Sequence, residues 1–98
     1  MKVRLSDQQI KAIKDAVRQV FGNEAKVYIF GSRAVSDKKG GDIDIMVLAP
    51  DLQDKYRKKI QLLTELYKRL GERKIDLIIT DSIKSDIEKE AVEKGVLL

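Results

Sequence analysis

Apolar residues recur three or four positions apart at Ile10, Ile13, Val17, Val20 and Phe21, behind Ser6-Asp7-Gln8-Gln9 and ahead of Gly22. That spacing predicts an amphipathic helix opened by a capping box and closed by a glycine that can turn left-handed. Lys26 to Phe30 is a compact β-prone run that stops at Gly31-Ser32, which predicts a buried strand. Arg33 to Ser36 fits a short helix opened by Gly31-Ser32, and Asp37 to Gly41 has the charge and glycine of a loop. Asp42 to Ala49 predicts a second strand, with Ile43, Ile45 and Val47 on one face and Asp42, Asp44, Met46 and Leu48 on the other. Pro50-Asp51 is expected to start a helix carrying Leu52, Tyr56, Ile60, Leu63, Leu66, Tyr67 and Leu70 up to Gly71. Lys74 to Ile79 predicts a third strand in which Asp76 opposes Ile75, Leu77 and Ile79. Thr80 or Ser82 is expected to cap a last helix holding Ile83, Ile87 and Val92 before Gly95. The fold class expected from this order is α/β: a small mixed sheet of about three main strands flanked by helices.

A chain of 98 residues is long enough for one core, so residues 1–98 are expected to form a single domain. The absence of Cys excludes disulfides and thiolate metal sites, and the absence of His removes imidazole ligands and every Ser-His or Cys-His catalytic pair. Chemistry here must come from carboxylates, hydroxyls and amines. The opening Met1-Lys2-Val3-Arg4-Leu5-Ser6 lacks the apolar run of a signal peptide, and no apolar segment approaches the ~20 residues needed to span a bilayer. A soluble cytoplasmic protein is the expectation. The formal charge of +4 arises from 20 basic residues interleaved with 16 acidic ones, not from a basic block, so direct nucleic-acid binding is not expected.

The aspartates change the picture. Residues two apart on a strand have Cα atoms roughly 6.7 Å apart and share a face, so the carboxylates of Asp42 and Asp44 can converge on cations between them. A charge in an otherwise apolar strand is costly unless paired or bound to metal, and neither strand holds a Lys or Arg between its apolar residues to pair with them. Asp76 repeats the anomaly in the next strand. Three such carboxylates offer an all-oxygen site that suits Mg²⁺, and two Mg²⁺ ions about 4 Å apart would stabilise both oxygens of an in-line phosphoryl transfer.

Gly31-Ser32 lies between a strand and a possible helix, where free backbone N–H groups favour a phosphate. No GxxxxGK[ST] segment and no GxGxxG fingerprint accompany it. Taken singly, each feature has a plainer reading. Asp42 fits the end of the Gly40-Gly41 turn, Asp76 fits a sheet-edge charge that discourages aggregation, and Gly31-Ser32 fits an ordinary turn. Lys38 and Lys39 read as a solvated loop, Arg57-Lys58-Lys59 as the exposed side of a helix, and the Tyr residues as core or rim.

Together, Gly31-Ser32, nine intervening residues, Asp42-Ile43-Asp44-Ile45 and Lys74-Ile75-Asp76-Leu77 resemble the polymerase β-like nucleotidyltransferase superfamily. The closest resemblance is to its minimal nucleotidyltransferase (MNT) branch. Phe30-Gly31-Ser32-Arg33-Ala34 is similar to the signature turn of that branch, and the element order matches its fold along nearly the whole chain. Gly41 stands where many relatives have Ser.

The resemblance implies that Asp42, Asp44 and Asp76 are catalytic and bind Mg²⁺, with ATP as co-substrate held at Gly31, Ser32 and Arg33. It implies that Asp76 helps to deprotonate or orient an acceptor hydroxyl. It also implies transfer of AMP to a protein hydroxyl on a small helical HEPN partner, as the antitoxin of a HEPN/MNT toxin–antitoxin pair. Two other functions stay open: an antitoxin acting by occlusion alone, and transfer to a small molecule of aminoglycoside type. A homo-oligomer stays open as well.

Overall fold

The computed structural model describes residues 5–30, 43–50, 52–71 and 74–98. They form three helices and four strands: α1 (Asp7–Phe21), β1 (Lys26–Phe30), β2 (Ile43–Leu48), α2 (Lys55–Leu70), β3 (Ile75–Thr80), α3 (Asp86–Lys94) and β4 (Val96–Leu97). The four strands make one mixed sheet in the order β3-β2-β1-β4. β1 runs antiparallel to β2 and to β4, whereas β2 and β3 are parallel, and α2 supplies the crossover that a parallel pair needs. The expected α/β fold class holds, and the short β4 adds a fourth strand to the three anticipated.

The alternation read from the sequence sorts the two faces of the sheet. Ile43, Ile45 and Val47 of β2 join Ile75, Leu77 and Ile79 of β3 in the larger core, under Ile13, Ala16 and Val17 of α1 and Leu62 and Leu66 of α2. On the other face Tyr28 and Met46 pack with Ala91 of α3 in a smaller cluster. One face is thus covered by two helices. The other is covered by the nine-residue α3.

α1 starts as its sequence dictates. The Ser6 hydroxyl accepts from the Gln9 amide at 3.1 Å, and the Gln9 side-chain oxygen accepts from the Ser6 amide at 2.8 Å. It ends at Gly22, whose φ of 89° favours glycine. Arg69 of α2 donates to the Gln19 side chain of α1 at 3.0 Å, and the Lys58 ammonium lies 5.6 Å from the centre of the Phe21 ring.

Two helices differ from expectation. α2 does not start at Pro50-Asp51: it begins at Lys55 behind Asp54, which adopts a left-handed φ of 49° with no side-chain cap. Leu52, expected on the helix, anchors the preceding irregular segment against the core instead. The inward stripe of α2 is Leu62 and Leu66, so Tyr56, Ile60 and Tyr67 project outward. α3 is capped by Ser85 rather than Thr80 or Ser82, because Glu88 stands three residues beyond Ser85 and completes a second capping box. Ile83 therefore precedes the helix, Ala91 is its buried residue, and Ile87 and Val92 are exposed. Thr80, buried at the end of β3, donates its hydroxyl proton to the Ser82 carbonyl at 2.7 Å and closes a local turn.

Candidate active site

Asp44 is the second residue of β2 and Asp76 the second of β3, and the parallel ladder places them directly beside each other. Register partners on neighbouring strands lie about 4.8 Å apart and project to the same side. The flanking residues fix that side: Ile43 and Ile45, like Ile75 and Leu77, are committed to the larger core, so both aspartates face away from it. The ladder is tight here, with the Ile43 amide donating to the Lys74 carbonyl at 3.0 Å. Asp44 is half-buried and Asp76 exposed. Phe30, the last residue of β1, pairs with Asp44 across the antiparallel ladder, so Phe30, Asp44 and Asp76 form one row across three strands.

The row opens into a depression of about 550 Å³ whose walls include Phe30, Asp44, Asp76, Lys59, Leu63 and Ile87. That size lies within the usual range for small-molecule sites. Its lining draws on both faces of the sheet, which places it over the edge formed by β3. α2 contributes Lys59 and Leu63, and α3 contributes Ile87. Two neighbouring carboxylates repel, and a cation between them offsets that repulsion. Their all-oxygen donor set fits a hard divalent ion such as Mg²⁺.

Of the residues singled out from the sequence, Asp44 and Asp76 are brought together. Asp42, Gly31, Ser32 and Arg33 lie outside the described residues, as do the short helix expected over Arg33 to Ser36 and the Lys38-Lys39 loop. Sequence reasoning missed Lys59, placed on a solvated helix face but found lining the depression. The missed signal was helical phase: Lys59 lies three and seven positions before the buried Leu62 and Leu66, on their side of the helix.

A small mixed sheet covered by helices, with aspartates at matching positions of adjacent parallel strands, is consistent with a polymerase β-like nucleotidyltransferase fold. The chain belongs to the family described as Polymerase beta, Nucleotidyltransferase, whose sequence profile matches residues 9–98. A crystal structure of a Shewanella oneidensis protein is similar over 95% of this chain and 71% of that one, with a TM-score of 0.65 and 24% sequence identity. At that identity the likeness concerns the fold. No curated protein matches the sequence. No helix among the described residues is long and apolar enough to cross a membrane.

Proposed function

We propose that the chain, as a single domain over residues 1–98, is a Mg²⁺-dependent nucleotidyltransferase that moves AMP from ATP to a hydroxyl of a protein acceptor. The observation that carries this reading is the side-by-side placement of Asp44 and Asp76 in a chain of the nucleotidyltransferase family. In this reading Asp42, Asp44 and Asp76 hold the Mg²⁺ ions, and Gly31, Ser32 and Arg33 hold the triphosphate. Bound Mg²⁺ supplies charge neutralisation on the reacting phosphate. Asp76, exposed at the rim, accepts the proton of the acceptor hydroxyl. The acceptor oxygen bonds to the α-phosphorus as the bond to the β-phosphate oxygen breaks, and pyrophosphate leaves. The half-buried Asp44 stays fixed by the strand ladder, so the protein needs little rearrangement during the step.

The acceptor proposed is a small helical HEPN protein, the toxin of a pair in which this chain is the cytoplasmic antitoxin. Co-expression with a HEPN protein encoded next to this chain, followed by incubation with α-labelled ATP and Mg²⁺, tests both claims. The expected result is label on the HEPN protein with wild-type chain and none with Asp44→Asn. Equal labelling by the variant would remove Asp44 from the chemistry. Labelling of no protein, with toxicity suppressed equally by wild type and variant, would leave neutralisation by occlusion.

A further inference from the structure

α2 carries two adjacent apolar stripes, one inside the core and one that the core covers only along its inner edge. Leu62 and Leu66 enter the core, whereas Tyr56, Ile60, Leu63, Tyr67 and Leu70 recur at intervals of four, three, four and three residues along an adjacent stripe. That is the a/d spacing of a helix packed against another helix, sustained over about 21 Å of helix axis. Tyr56 is 79% exposed, Ile60 49% and Tyr67 43%, while Leu63 and Leu70 close the inner edge of the stripe against the core. Isolated exposed apolar residues are ordinary on protein surfaces, but a contiguous run in heptad register is not.

We propose that this seam docks an acidic amphipathic helix of another protein. The charge around the stripe selects the occupant. Of the basic residues of α2, Lys58 and Arg69 turn to Phe21 and Gln19 of α1, whereas Arg57 and Lys59 border the stripe. With Tyr56 at a d position, Arg57 takes the following e position and Lys59 the g position, the sites that set partner choice in paired helices. A second copy of α2 would bring like charges together at those sites, and a helix with Glu or Asp there would bring opposite ones. The only other amphipathic helix left exposed among the described residues, α3, is nine residues long and shows Ile87 and Val92 five positions apart, which is not an a/d interval. The stripe is also continuous with the Asp44 and Asp76 depression, because Leu63 belongs to both and Lys59 stands between them. A helix seated on α2 would therefore lie beside the carboxylates. That it delivers the acceptor hydroxyl rests on the transferase reading, whereas the docking itself does not.

Two designed three-heptad peptides with Leu at a and d test the docking, one with Glu at e and g and the other with Lys there. In fluorescence anisotropy without nucleotide or Mg²⁺, the Glu peptide binds and the Lys peptide does not. Tyr56→Ser/Ile60→Ser/Tyr67→Ser, which alters outward-facing residues, weakens the Glu peptide about ten-fold or more. Arg57→Glu weakens the Glu peptide and admits the Lys peptide. Asp44→Asn binds the Glu peptide as wild type does, so loss of transfer and loss of docking are separately visible. Equal affinity for both peptides, no binding of either, a single-stranded oligonucleotide binding more tightly than the Glu peptide at the same seam, or self-association that the triple substitution abolishes would each overturn the proposal.

Discussion

Asp44 and Asp76 occupy matching positions on two adjacent parallel strands, each flanked on its own strand by residues committed to the core on the opposite side. Neither carboxylate can leave the shared face without turning its strand over, because a one-residue slip would expose Ile43, Ile45, Ile75 and Leu77. The juxtaposition therefore rests on the hydrophobic pattern of β2 and β3. Like charges directly opposite across strands repel, a cost that a bound cation would offset.

Asp76→Asn removes one of the two neighbouring charges from an exposed position. Its metal-free stability is expected to stay within about 0.5 kcal/mol of wild type or to rise. The thermal shift produced by Mg²⁺ and ATP is expected to fall, since a ligand's stabilisation of the native state grows with the logarithm of its affinity. Thermal melts of both proteins, with and without Mg²⁺-ATP, check both directions.

The two sides of α2 predict contrasting costs. Leu66 is fully buried, so Leu66→Ala is expected to cost about 2–5 kcal/mol through lost transfer energy and the cavity left behind. Tyr56→Ser, on a residue 79% exposed, is expected to change stability by no more than about 0.5 kcal/mol. Urea titration of each variant measures the difference.

Gly95 is required for space rather than for backbone conformation. Its φ of -82° suits any residue, but an added Cβ would come within 2.7 Å of the Ile29 carbonyl oxygen and 3.1 Å of the Phe30 Cβ. Gly95→Ala is therefore expected to destabilise by about 1–3 kcal/mol and to disturb the β1–β4 pairing. At Gly22 nothing lies within 4 Å of such a Cβ, and the backbone conformation alone, φ 89° and ψ -175°, should make Gly22→Ala cost about 1–3 kcal/mol. Chemical denaturation of the two variants separates steric from conformational cost.

Glu88 predicts an acid-resistant cap on α3. Its carboxylate accepts from the Ser85 amide at 2.9 Å and the Lys84 amide at 2.8 Å, which pull its pKa from 4.5 down to about 2. A depressed folded-state pKa contributes stability that is fully present above the unfolded value of about 4.5 and is lost as pH falls toward about 2. Glu88→Gln is expected to flatten that part of the stability–pH profile. Carboxyl titration by NMR should place the Glu88 midpoint near 2.

Elements with strong local signals were legible in the sequence. The Ser6 capping box, the β1 run and the alternation of β2 and β3 each agree with the structure, because one-face burial leaves a pattern of period two and a cap needs particular residues at fixed spacing. α2 was misread where two apolar stripes share one helix: periodicity counts Tyr56, Ile60 and Tyr67 as readily as Leu62 and Leu66, and only packing separates them. Pro50 was a misleading start signal, since proline also fits the irregular segment that Leu52 anchors. In the site, the face shared by Asp44 and Asp76 followed from the strand pattern. Their pairing did not, because strand order and register depend on contacts between segments distant in the chain. Lys59 was missed for a local reason, its helical phase three and seven positions before Leu62 and Leu66.

The central claim is that Asp44 and Asp76 together hold the metal-bound nucleotide. Isothermal titration of ATP into the protein, with Mg²⁺ and again with EDTA, tests it most directly when repeated on Asp44→Asn and Asp76→Asn variants with wild-type circular dichroism. The expected result is saturable binding that needs Mg²⁺ and weakens about ten-fold or more in each variant. Binding unchanged by EDTA, or unchanged in both variants, would contradict it.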